Sequence, residues 1–179
     1  MKIIYLALAA LLMLTNLSTV VTAAPYQLYL TRHAHKADAG KDPKLSACGQ
    51  AQAAALATLL APTAIKALYH TPFQRTKQTA EAMLTQGRSL YSYPAADIAA
   101  LATQLQQQQQ NALVVGHSNT IPQLAALLSA EPQAELTEQD YGAIYQLQFD
   151  GGRFISLTKL QLPAPAICQP MSAQTTPQG

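Results

Sequence analysis

Charge is scarce in this chain of 179 residues: Asp, Glu, Lys and Arg together make up 11% of it. Lysine and arginine number 11 against 9 acidic residues, a formal net charge of +2. So slight an excess gives no electrostatic basis for holding nucleic acid or an anionic membrane surface. An anion bound here has to be held by a few placed residues. Cysteine is scarcer still, and two residues exclude both a four-cysteine zinc site and a disulfide-dense scaffold. Apolar residues are not lacking. At 49% they exclude a disordered chain, and they suffice for one sizeable core in a length that allows one domain or at most two small ones.

The N-terminus reads as an address. Lys2 gives a short positive start, and Ile3 to Leu14 is apolar apart from Tyr5. Val21-Thr22-Ala23 then places small residues before Ala24-Pro25, the pattern of a secretory signal peptide cut after residue 23. A retained anchor fits less well, because the strictly apolar run is shorter than the ~20 residues a spanning helix needs. The expected product is an exported protein, periplasmic or secreted, with no membrane span after cleavage. In an oxidising compartment Cys48 and Cys168 are expected to be bridged, which would pin a Pro-rich tail over 163–179 to a domain over 24–162.

Strand-like and helix-like segments alternate along that domain. Tyr26–Thr31, Ala64–Tyr69, Leu90–Tyr93 and Ala112–Val115 read as strands, with Tyr141–Phe149 and Arg153–Leu162 as a hairpin around Asp150-Gly151-Gly152. Helices are expected over Ser46–Leu60 with Ser46 as N-cap, from Thr71-Pro72 to about Gln86, over Asp97–Gln107 and over Asn119–Leu128. Gln106–Gln110 is a low-complexity, solvated connector. This order predicts an α/β three-layer sandwich, a mainly parallel central sheet flanked by helices.

The four histidines carry the chemical signal. His33, His35, His70 and His117 each fall at or just beyond the C-terminal end of an expected strand, the edge where open parallel sheets form ligand sites. Arg32 follows the first strand directly, and Arg75 falls in the first turn of the helix after the second. Two guanidiniums offer forked donors to phosphoryl oxygens. A neutral imidazole can attack phosphorus, and a protonated one can stabilise the developing charge.

Three segments sharpen this reading: Thr31-Arg32-His33-Ala34, Thr71-Pro72-Phe73-Gln74-Arg75-Thr76-Lys77-Gln78-Thr79-Ala80, and Val114-Val115-Gly116-His117-Ser118-Asn119-Thr120. In this order the chain resembles the histidine phosphatase superfamily, the phosphoglycerate-mutase-like group in its short, compact branch, over roughly residues 26–162. The resemblance implies His33 as nucleophile, with Arg32, Arg75 and His117 completing a phosphate pocket that needs no metal or cofactor. Ser118 and Asn119 are candidate substrate contacts beside it. The implied activity is a phosphomonoesterase acting through a phosphohistidine on a small phosphorylated substrate.

The chain departs from the family's pattern at two places. His35 and Lys36 follow Ala34 where an acidic residue is common, so His35 either lines the pocket mouth or belongs to a solvated loop. After the third strand, where many members carry a proton-donating acid, Asp97 is the only nearby carboxylate. It reads as a helix N-cap first and as a possible acid second.

Three rival readings draw on the same residues. Gly116-His117-Ser118-Asn119-Thr120 resembles a serine-hydrolase elbow, but no histidine follows to complete a triad in that order. His33-x-His35 could begin a metal site with His117 and Asp38, in a scaffold smaller than such hydrolases use. A phosphate- or polyanion-binding module without turnover would share the same pocket.

Overall fold

A computed structural model describes residues 24–85 and 87–169. The expected signal peptide lies outside the described residues, as does the tail beyond residue 169. Strand β1 (Tyr26–Arg32) has the sequence YQLYLTR and is buried on both faces, as a central strand must be. Next come α1 (Ala47–Leu60), β2 (Ala67–His70), α2 (Gln74–Glu81), β3 (Ser89–Ser92), α3 (Ile98–Gln108), β4 (Ala112–Gly116), α4 (Thr120–Ser129), β5 (Ala143–Asp150) and β6 (Arg153–Gln161). The strands form one sheet in the order β3-β2-β4-β1-β5-β6. The first four of that order run parallel, and β5 and β6 add antiparallel to β1. Asp150-Gly151-Gly152-Arg153 turns the hairpin with φ of 58° and 80° at its glycines, a twist that matches the strands it joins.

The strand period of two separates the core into two layers. Leu28, Leu30, Tyr69, Val114, Tyr145 and Leu147 face one way and meet Leu101 and Leu105 of α3 and Ile121, Leu124 and Leu128 of α4. Tyr29, Leu68, Leu113, Val115 and Ile144 face the other and meet Leu56 and Leu60 of α1 with Ala80 and Met83. Helices thus cover both faces of the sheet, the three-layer α/β sandwich the alternation predicted.

Capping explains where the helices begin. Ser46 accepts from the Gly49 amide at 3.0 Å, and Asp97 accepts from the Ala100 amide at 3.1 Å. Helix α2 differs from expectation at both ends. It starts at Gln74 rather than at Thr71-Pro72, because the Thr71 carbonyl accepts the Thr76 hydroxyl and the Thr71 hydroxyl faces the neighbouring strand end. Its first amide, Gln74 N, is capped from a distant loop by Asp42 at 2.8 Å. It stops at Glu81, where tight turns (Met83 N to Ala80 O, Leu84 N to Glu81 O) replace the helical ladder.

Cys48 and Cys168 are joined in a disulfide, with Cα atoms 4.9 Å apart across 120 residues of sequence. The near part of the tail is therefore docked on the first turn of α1, with a short 3-10 turn over Ala166–Cys168. Among the described residues, no helix is long and apolar enough to cross a membrane.

Candidate active site

Parallel pairing sets the strand ends side by side. Arg32 pairs with Gly116, and His70 pairs with Val115. His33 N donates to the Gly116 carbonyl at 2.9 Å, carrying the ladder one residue further. His33, Thr71 and His117 therefore emerge together at the C-terminal edge of the sheet. Gly116 permits this crowding: a Cβ there would lie 2.8 Å from the Tyr93 hydroxyl and 2.9 Å from Thr120 Oγ1.

The imidazoles of His33 and His117 meet edge to face, 5.5 Å between centroids at 69°. His33 is 4% exposed, and its Nδ1 lies 2.8 Å from the Ala34 carbonyl. A carbonyl only accepts, so Nδ1 carries the hydrogen and the neutral ring keeps its lone pair on Nε2. Burial pushes the His33 pKa down to about 3, helped by the charges of Arg32, His117 and Arg75 and opposed by the Ala34 hydrogen bond. His117 is pushed down to about 4, by burial first and then by Arg75 and Arg32. Both rings are neutral near pH 7, so His117 is uncharged here rather than the imidazolium that phosphoryl stabilisation calls for. A bound dianion is what would raise it.

Aromatic and hydroxyl groups orient this pair. The Thr71 hydroxyl bridges His117 Nε2 at 3.0 Å and the Thr76 hydroxyl at 2.8 Å. Phe73 packs edge-on against His117 at 5.3 Å, and the Arg75 guanidinium lies 4.3 Å over the Phe73 ring. Arg75 Nη1 is 3.9 Å from Asp42, the carboxylate that also caps α2.

Arg32 is held from the other side. Its Nη1 donates to the Thr137 carbonyl at 2.7 Å and its Nη2 to Glu138 Oε2 at 3.0 Å, while the Tyr141 ring covers its Cζ at 4.2 Å. His35 stacks on Tyr141 at 3.6 Å, so it forms part of the site wall rather than a free loop. Burial and the Arg32 charge lower its pKa.

The structure thus gathers Arg32, His33, Arg75 and His117, with His35 one layer out. Ser118 and Asn119 follow His117 at the same edge, and neither side chain forms a hydrogen bond among the described residues. Asp97 stands apart as the cap of α3. His70 is buried with Nδ1 at 2.6 Å from the Thr71 carbonyl, a neighbour of the site rather than part of it. No cluster of three or more His, Cys, Asp or Glu side chains suited to a metal ion occurs among the described residues. Sequence reasoning missed Tyr141, Glu138 and Thr137, which arrive from a loop more than a hundred positions beyond Arg32. The available signal was the bunching of Glu135, Glu138, Asp140 and Tyr141 in a chain with few acids.

A family model for the histidine phosphatase superfamily (branch 1) matches residues 28–94, from β1 through β3. Among solved structures, the protein histidine phosphatase SixA complexed with tungstate aligns with a TM-score of 0.61 at 24% identity, covering 73% of this chain and 95% of its own. The fold is that of the histidine phosphatases. Alpha-ribazole phosphatase from Shigella flexneri shares this fold with a TM-score of 0.60 at 18% identity, covering 76% of this chain and 95% of its own. A mycobacterial glucosyl-3-phosphoglycerate phosphatase aligns with a TM-score of 0.61 at 16% identity, over 79% of this chain and 100% of its own. No curated protein matches the sequence. On the histidine phosphatase fold, the matched segment carries Arg32, His33 and Arg75, while His117 lies beyond it on β4's exit.

Proposed function

We propose that this chain is an exported histidine phosphatase, a phosphomonoesterase that works through a phosphohistidine at His33. The observation that carries the reading is the state of His33. Its Nδ1 hydrogen is fixed on a backbone carbonyl, its ring is neutral, and the ring packs against His117 within reach of the charges of Arg32 and Arg75. A phosphoryl group spreads charge over three equatorial oxygens, and its transfer is helped chiefly by positioning and electrostatic stabilisation. Arg32, Arg75 and a His117 protonated on binding supply that stabilisation, while His33 Nε2 forms the P–N bond as the ester P–O bond breaks. Water then cleaves the P–N bond and releases phosphate. The solved neighbours named above are phosphatases on diverse substrates, which supports the activity and leaves the substrate open. The disulfide is compatible with export.

Asp97, the carboxylate that directly follows β3, is engaged as the cap of α3 rather than held to protonate a leaving oxygen. That observation also suits a pocket that binds phosphate without turnover. Hydrolysis of nitrophenyl phosphate separates the two readings, and rapid acid-free quenching with labelled substrate should trap phosphate on His33. His33→Ala should abolish both turnover and trapping with the fold intact, and His117→Ala should leave more residual rate. Equal, small losses in the two variants would refute His33 as the nucleophile.

A further inference from the structure

Arg32 belongs to the pocket, yet its side chain is 1% exposed. Thr137, Glu138 and Tyr141 cover it from one short stretch of loop, and among these partners only Glu138 carries negative charge. The Glu138 carboxylate also lies 3.8 Å from Lys36 Nζ, while the residue's own side chain is 64% exposed. A buried guanidinium needs a countercharge, and here a surface glutamate reaches in to provide it. The carboxylate oxygen thus takes the Nη2 donor, a group of the kind that pairs with phosphoryl oxygens.

We propose that Glu138 is an internal competitor for the phosphoryl site, deepening the phosphatase reading on which it rests. Its carboxylate holds Arg32 until a phosphorylated ligand displaces it outward, and returns to Arg32 as phosphate leaves. The exchange suits the local structure. Glu138 is already largely exposed, so swinging out costs it little, and Arg32 passes from one anion to another without standing unpaired. The segment around it has no regular structure, is folded on itself by a 2.6 Å bond from Thr137 N to Asp140, and ends at Gly142 with φ of 82°. The Asp42–Arg75 pair, at 3.9 Å, is longer, so Glu138 is the stronger competitor. The consequence falls on affinity: Glu138 weakens retention of the product phosphate and favours ligands that bring a full dianion.

Calorimetric titration with orthophosphate tests this on the protein and on Glu138→Gln, which keeps the side chain's size and removes its charge. Glu138→Gln should bind orthophosphate about ten-fold more tightly, with a matching fall in the product-inhibition constant during nitrophenyl phosphate hydrolysis. Unchanged affinity would overturn the competition. Weaker affinity would overturn it too, and would make Glu138 a residue that positions Arg32 for the ligand. Absence of orthophosphate binding in both proteins would instead remove the phosphate pocket itself, and the inference with it.

Discussion

Lowering the pH should destabilise this protein through His33 and His117. An unfolded histidine has a pKa of 6.5, whereas His33 is held at about 3 and His117 at about 4, burial being the main cause for each. Between those values the unfolded chain binds protons that the folded chain refuses, so stability falls as pH drops below about 6.5. From about pH 7.5 to 5 the linkage amounts to about 2 kcal/mol for His33. His117 is half-buried and contributes less, so together they come to about 3 kcal/mol. His35 is depressed as well and adds in the same direction. Asp140 is held below its usual 3.8, so it stays ionised across this window and does not enter. With a urea slope of about 2 kcal/mol/M, the unfolding midpoint should fall by roughly 1.5 M over that change. His33→Asn, which cannot titrate, should remove more than half of the fall. A midpoint that is flat with pH, or a fall that His33→Asn leaves whole, would refute the assignment of buried, neutral rings.

Further outcomes follow from other contacts. Replacing Cys48 and Cys168 with serine opens a loop of 120 residues, and chain entropy sets the loss at about 4–5 kcal/mol as an upper value, read by urea unfolding. Asp97→Ala should cost about 1 kcal/mol of stability through the lost cap. It should leave untouched a steep dependence of turnover on leaving-group pKa, with nitrophenyl phosphate far ahead of sugar phosphates. A dependence that is flat in the wild type and steep in the variant would make Asp97 the acid. Thr71→Val removes the hydroxyl between His117 and Thr76, and should lower kcat while binding of orthophosphate changes little. Equal loss of both would show that Thr71 supports the pocket as a whole.

The parts of this molecule that were legible in the sequence are those with a period or a cap. Alternating Leu and Tyr in β1, the apolar ALVV of β4, and Ser46 and Asp97 ahead of their helices each announce themselves locally. The meeting of Arg32, His33 and His117 was legible because strand ends of a parallel sheet share an edge. Helix α2 is shorter than Thr71-Pro72 suggests, since its start depends on Asp42 reaching across from another loop, which nothing in that dipeptide reveals. The cover over Arg32 was invisible for the same reason. Thr137, Glu138 and Tyr141 have no periodicity, and their partner lies at the opposite end of the chain.

Strand β1 sits mid-sheet, and both of its neighbours, β4 and β5, come from the second half of the chain. A chain growing from its N-terminus makes Arg32 and His33 early and has nothing to place beside them. His117 reaches them only when β4 slides between β1 and β2, one of the least local pairings in the molecule. No fragment ending before β4 therefore brings His117 beside His33, and the proposed hydrolysis, regained during refolding, would report the closing of the sheet itself.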